Sequence, residues 1–348
     1  MTQRLDITKT QNLHFSILER RPKIAYFIKV HSCPQQFKRL FKAIYHPENH
    51  YLIHINQKTD SNIKEDIIFF LADYSNSYLL KSTTIEIRKY NIVQSQLNGM
   101  KYLLNRCLKW DFFINLSEQD FPLKSQDAIL DFLHRNRGKN FIKMVSQVRG
   151  GTDTMNRIEN YFQGIDIGFL SIPFKKSFMK NVIPYVGEQW MILSRACCEF
   201  ICHSPEVKKF EDFYYNILNA DKSFFQTVLM NTSFKEIVVN NDKRAVIWIA
   251  DGDVKLKPKT LTESDFDFLM QEENLFARKF DTKVDESILH LLEEALKADQ
   301  VTNNTNGIDF NLVSTTDMEV RKTNKTLDRE TFINSPAQLH RRPLNGSK

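Results

Sequence analysis

Three short polar clusters follow apolar runs in the first third of the chain: His31-Ser32, Asn56-Gln57-Lys58 and Ser117-Glu118-Gln119-Asp120. The last holds two carboxylates two residues apart. Such a pair can share a divalent cation, or it can order the turn before Phe121-Pro122. A second concentration of charge, Arg278-Lys279, lies between Phe276 and Phe280. Fixed cations of this kind are surface charges, or, inside a dry pocket, they stabilise a departing anion. Trp190 is either a core aromatic or a wall of an acceptor pocket. Gly-x-Gly-x-x-Gly, Walker A, His-Glu-x-x-His and Gly-x-Ser-x-Gly are all absent, and 10 Gly in 348 residues disfavour dinucleotide and P-loop sites.

Polar clusters act only if a scaffold brings them together. With 42% apolar residues and 27 Phe, the chain can bury a large core. The net charge of +6 suits an anionic ligand or an acidic membrane surface. Zinc-finger spacing, an aromatic RNA-binding signature and basic heptads are missing, so nucleic acid is not the expected partner. Five Cys without metal-ligand spacing read as free thiols, which suits a reducing cytoplasm. No stretch has the length of a membrane span and the start has no signal-peptide core, so the expected state is cytoplasmic, with peripheral contact at the inner face of a membrane.

Strand-like runs at 23–30, 51–55, 84–87 and 111–116 alternate with helical patterns at 35–45, 63–74, 93–107 and 128–136. This predicts α/β architecture with a mostly parallel sheet flanked by helices. Ligands bind such sheets beyond the carboxyl ends of the strands, where the three polar clusters fall. Residues 145–187 read as irregular. A strand at 189–194, helices at 195–203, 207–218 and 223–230, strands at 236–239 and 245–249, and helices at 264–271 and 285–298 follow. The expected organisation is an arm at 1–21, one domain at 22–299 and a flexible polar tail at 300–348.

Five segments, in order, carry a resemblance: IAYFIKVH (24–31) with FKRLFKAIYHPENHYLIHIN (37–56), INLSEQDFPLKS (114–125), GEQWMILSR (187–195), DKSFFQTVLMNTSF (221–234) and LFARKFD (275–281). Together they resemble the core-2/I-branching β-1,6-N-acetylglucosaminyltransferase family, which includes the peptide xylosyltransferases, and a soluble member of bacterial type. The resemblance implies a GT-A nucleotide-sugar fold and inverting transfer from a UDP-sugar of GlcNAc or xylose type. The expected acceptor is a glycan, a lipopolysaccharide or a capsule-type polysaccharide. It implies diphosphate binding by basic side chains without a required cofactor, Mn²⁺ or Mg²⁺ being the secondary option.

By the same resemblance, Val30 and His31 face the uracil, Asn56 stands where relatives have an acidic uracil contact, and Lys259, Arg278 and Lys279 form the diphosphate site. Arg157, Glu188 and Trp190 fall on the acceptor side. Two departures matter. The family's catalytic glutamate maps to Lys222, which leaves its neighbour Asp221, or Glu188, as the expected base. Residues 88–93 are shorter than the Trp/Gly-containing loop of relatives. Glu118 stands where the family has Gly. The alternative reading is a nucleotide-sugar or glycan-binding protein with degenerate catalysis.

Overall fold

A computed structural model describes residues 20–80, 90–106, 109–146, 160–162, 173–175, 178–215, 217, 220–251, 255–271 and 273–306. Residues 1–19 of the expected arm at 1–21, the strand expected at 84–87, Cys107, Arg157 and the chain from 307 onward lie outside these residues.

The strand β1 (Ile24–Val30) is buried on both faces. Ile24, Tyr26, Ile28 and Val30 turn to one core, while Ala25 and Phe27 turn to another. A strand covered twice in this way needs helices on both sides. On the first side, α1 (Pro34–Ile44) has Pro in its first turn and buries Phe37, Leu40, Phe41 and Ile44 as one stripe. The next two elements are β2 (His50–Ile55) and α2 (Ser61–Leu71), whose N-cap Asp60 accepts from the Asn62 amide at 2.8 Å. The edge strand β3 (Ser77–Leu79) comes earlier than the strand expected at 84–87.

The helix α3 (Asn91–Arg106) covers the second side, with Gly99 placed where an added Cβ would meet the Phe27 ring at 3.0 Å. Then come β4 (Phe112–Ser117), the short β5 (Asp120–Pro122) and α4 (Gln126–Arg135), capped by Ser125. Gly138, at φ +78°, turns the chain into β6 (Asn140–Ser146), a strand absent from the sequence expectations. The segment read as irregular contains an antiparallel pair, β7 (Asn160–Phe162) and β8 (Pro173–Lys175). The long strand β9 (Tyr185–Ser194) ends in Ser194, which caps α5 (Arg195–His203).

Two helices, α6 (Pro205–Tyr214) and α7 (Phe224–Met230), flank a 3₁₀ turn at Ala220–Lys222. After β10 (Val238–Val239), the strand expected at 245–249 is two strands in different sheets, β11 (Arg244–Val246) and β12 (Trp248–Asp251). The last elements are β13 (Lys255–Pro258), α8 (Phe266–Gln271), β14 (Phe276–Arg278) and α9 (Ser287–Asn306).

The main sheet has the order β10-β6-β9-β4-β1-β2-β3. It is mixed and mostly parallel, with β9 antiparallel to both β4 and β6. At its bulged pairing with β6, a Cβ on Gly187 would stand 2.0 Å from the Lys143 carbonyl oxygen, so this crossing requires glycine. A small sheet, β11-β14-β5, sets Arg278 opposite Asp120. Cys197 and Cys198 are buried free thiols, and Cys33 and Cys202 are half-buried free thiols. Among the described residues no helix is long and apolar enough to cross a membrane.

Candidate active site

A cavity of about 730 Å³ opens at the carboxyl ends of β1, β2 and β4. Val30 and His31 at the end of β1 line it, as does Asn56 after β2. Trp190 of β9 and Arg278 of β14 close the other side. Five of the sequence-named residues therefore share one pocket, where an open α/β sheet takes its ligands.

The turn after β1 is held from below by Glu118. Its carboxylate accepts from the His31 amide at 2.5 Å and the Ser32 amide at 3.1 Å. Burial pushes this carboxyl above its usual range, and the two amides oppose the shift. The His31 carbonyl accepts from Thr59 Oγ1 at 2.7 Å. Both backbone groups of His31 are thus occupied, and its ring is what the cavity receives. Asn56 uses its side-chain carbonyl on the Lys58 amide at 2.9 Å, which leaves its amide donors for a base edge.

Asp120, two residues on from Glu118, is equally engaged. One oxygen accepts from the Ser117 amide at 2.6 Å and hydroxyl at 2.7 Å, and the other pairs with Arg244 Nε at 3.2 Å. Neither side chain reaches solvent, at 0% and 1% exposure. Glu118 and Asp120 therefore fit a turn-ordering role and do not jointly face a metal. No group of three or more His, Cys, Asp or Glu suited to a metal occurs among the described residues.

The Arg278 guanidinium lies 4.1 Å over the Trp190 ring and that of Arg244 4.5 Å from it. Arg278 Nε is buried without a partner among the described residues. Trp190 is thus both a largely buried aromatic and a platform for a cavity cation. Asn115, the asparagine of INLS, fixes that platform. Beyond the last β4–β9 ladder pair, its side chain donates to the Gln189 carbonyl at 2.7 Å and accepts from the Met191 amide at 2.8 Å.

Asp221, Lys222 and Glu188 form a group beside the cavity without lining it. Asp221 is buried in the 3₁₀ turn. Burial raises its carboxyl above the usual range, Lys222 and Lys29 oppose the rise, and Glu188 adds to it. Lys222 is ion-paired with Glu188, both partly exposed. In that pair the Lys222 ammonium is the donor, and an ammonium has no acceptor to offer a hydroxyl proton. The same pair removes Glu188 as a free base.

Two basic residues named from sequence stand elsewhere. Lys259 pairs with Asp265 at 2.5 Å, and Asp265 also accepts from the Thr262 amide at 3.0 Å, which ties the lysine into a capping turn. The Lys279 side chain does not line the cavity, and its carbonyl accepts from the Leu261 amide at 2.8 Å. Among the lining residues that have no role in the sequence reading is Lys29, which donates to Gln189 Oε1 at 2.9 Å. The signal was a lone cation inside the apolar run IAYFIKV.

Residues 24–270 match the Core-2/I-Branching enzyme family. The chain belongs to this family of glycosyltransferases. It is 28% identical to xylosyltransferase 2 of Rattus norvegicus over 289 residues, covering 78% of this chain and 33% of that protein. It is 29% identical to xylosyltransferase 1 of Canis lupus familiaris over 295 residues, covering 78% and 30%. The chain thus spans about a third of the length of these relatives. Among solved structures, core-mannan synthase A of Aspergillus fumigatus in its Mn/GDP form is similar over 62% of this chain and 71% of that one. At 6% identity and a TM-score of 0.32, that likeness carries no argument about the site.

Proposed function

We propose that this chain is an inverting glycosyltransferase that moves a sugar of GlcNAc or xylose type from a UDP-sugar to a glycan hydroxyl. The observation that carries the reading is the convergence of Val30, His31, Asn56 and Arg278 on one cavity at the strand ends. His31 and the Asn56 amide can face a base, while Arg278, steadied on Trp190, can meet the charge of a diphosphate.

In the transfer, the acceptor oxygen bonds to the anomeric carbon as the bond from that carbon to the β-phosphate oxygen breaks. UDP leaves with the electron pair, and the hydroxyl proton passes to Asp221. A carboxyl raised by burial is a better proton acceptor than an exposed one. The transferase domain in this proposal spans 22–299. Its acceptor is of lipopolysaccharide or capsule type, met at the inner face of a membrane, in keeping with the basic charge and free thiols.

The Lys222–Glu188 pair favours a second reading, a nucleotide-sugar-binding protein that has lost transfer. Thermal shift with UDP, GDP, UDP-GlcNAc and UDP-xylose, in EDTA and in Mn²⁺, tests the donor site. Ligand at 100 times its Kd stabilises the native state by about 2.7 kcal/mol, a rise of roughly 5 °C or more. A UDP response in EDTA supports the cationic site, and no response to any nucleotide sinks the donor assignment. Binding without turnover across a panel of acceptors selects the second reading.

A further inference from the structure

The cavity wall holds two lysines that the family resemblance does not name, the exposed Lys58 and the partly buried Lys29. Lys29 is the penultimate residue of β1, in register with His54 of β2 and Ser117 of β4. It lines the cavity and is half-buried there. An ammonium has three donors. Among the described residues its one hydrogen bond goes to Gln189 Oε1, a neutral acceptor, which leaves two donors for something else. Among the described residues no carboxylate forms a direct ion pair with it. Glu118, the acidic residue on the cavity wall, is spent on the His31 and Ser32 amides. Arg278, on the same wall, also has an unpartnered buried nitrogen. Two cations with unused donors in one pocket describe a site built for a ligand of at least two negative charges.

We propose that Lys29 is a ligand-binding residue that, together with Arg278, receives the diphosphate of a nucleoside diphosphate or its sugar ester. The proposal rests on the donor-site reading above. It adds a cation from the central strand to the one supplied by β14, and it accounts for charge neutralisation without enlisting Glu118 or Asp120.

The surroundings of Lys29 also make the site sensitive to pH. Burial lowers its ammonium from the usual range to about 8. Asp221 in the 3₁₀ turn and Asp120 on β5 oppose that fall, and Arg278 on β14 reinforces it. His54 on β2 is itself held low, first by burial and then by Lys29. Glu188 on β9 faces Asp221 and is paired with Lys222. His54, held below the ordinary imidazole range, changes charge below the window of Lys29. A bound diphosphate favours the charged lysine, so binding takes up a proton once the pH exceeds about 8, and affinity falls as pH rises through that value.

The test is UDP affinity by titration calorimetry, in EDTA, from pH 7 to pH 9.5, on the full chain. Wild type is expected to lose affinity above pH 8, approaching tenfold per pH unit. Lys29→Arg, which keeps its charge throughout, is expected to bind with an affinity that is flat over the same range. Lys29→Gln is expected to bind at least tenfold more weakly than wild type at pH 7 and to lose the pH dependence. Thermal unfolding of each variant without ligand reports its folding. The wild-type pH profile needs no variant and stands even if one fails to fold. UDP binding of equal strength in wild type and Lys29→Gln, with a flat wild-type profile, overturns the proposal and leaves the donor site standing. Absence of UDP binding to wild type at every pH overturns the donor site and the proposal with it.

Discussion

Replacing Asp120 by Asn separates a structural carboxylate from a metal ligand. Asn keeps the shape and can still accept from the Ser117 amide and hydroxyl, now bonded at 2.6 and 2.7 Å. What disappears is the charge opposite Arg244, which is 1% exposed and has Nη1 without a partner. Its Nε lies 3.2 Å from Asp120 outside hydrogen-bond geometry, so charge holds the pair more than an aligned bond does. Removing one member of a buried pair costs about 3–5 kcal/mol. Asp242 also faces Arg244, which favours the lower end. With a urea dependence of about 3 kcal/mol per molar, the unfolding midpoint drops by about 1 M. Adding Arg244→Met removes the orphaned cation and should recover part of that loss. Urea denaturation of the wild type, the single and the double variants measures both effects. If Asp120→Asn costs under ~1 kcal/mol and at the same time abolishes stabilisation by Mn²⁺, the carboxylate is a metal ligand and the assignment here is refuted.

The other predictions concern turnover and binding. Asp221→Asn should lower turnover by about 10²–10⁴-fold while UDP affinity stays within roughly twofold, measured by sugar transfer and calorimetry. A base with a raised carboxyl must be ionised, so activity is present above that raised value and is lost as pH falls through it. The acid limb of kcat should therefore lie above the ordinary aspartate range, and a limb near pH 4 argues for another base. The raised value also means that the native state binds its proton more tightly than the unfolded chain. Asp221 thus costs stability at neutral pH, and Asp221→Asn should unfold no earlier than wild type. Trp190→Leu removes the ring under Arg278, a contact worth about 0.5–2 kcal/mol, and should weaken UDP binding by roughly 2–30-fold. Changing Lys222→Glu together with Glu188→Ser restores the glutamate of the family pattern and removes its partner, and a rise in transfer rate would show that the wild-type pair limits catalysis.

The parts of the fold that could be read from the chain are those whose pattern is local. Phe37, Leu40, Phe41 and Ile44 recur at helical spacing and form the buried stripe of α1. Ser194 and Ser125 mark helix starts, and both act as caps. Other features depend on partners far away. The Asp120–Arg244 pair joins residues on β5 and β11, across the small sheet, and no spacing announces it. The run at 245–249 looks like one strand, but β11 pairs with β14 and β12 with β13, so the chain changes sheet within it. The candidate site shows the same division. Val30, His31, Asn56, Trp190 and Arg278 sit in motifs and meet in one cavity. Lys29 sits in a strand buried on both faces, where periodicity cannot tell a cavity-facing residue from a core one.

The departures from the family pattern bear on whether the site is decayed or adapted. Glu118 puts a charge where the family pattern has Gly, Lys222 reverses the charge of the pattern's Glu, and neither is left uncompensated. Glu118 satisfies two turn amides, and Glu188 and Lys222 satisfy each other. Random loss of a catalytic glutamate predicts no new partner for its replacement. A lysine alone in that position would face Lys29 across Asp221 and add positive charge beside a half-buried cation. With Glu188 present, the Lys222–Glu188 pair is neutral as a unit, and the net charge around Asp221 comes from Lys29 alone. The arrangement keeps one ionisable carboxyl, Asp221, between the cavity cation and a neutral ion pair. In the proposed transfer that setting suits a proton acceptor, and the proposal gives the burial of Asp221 a use.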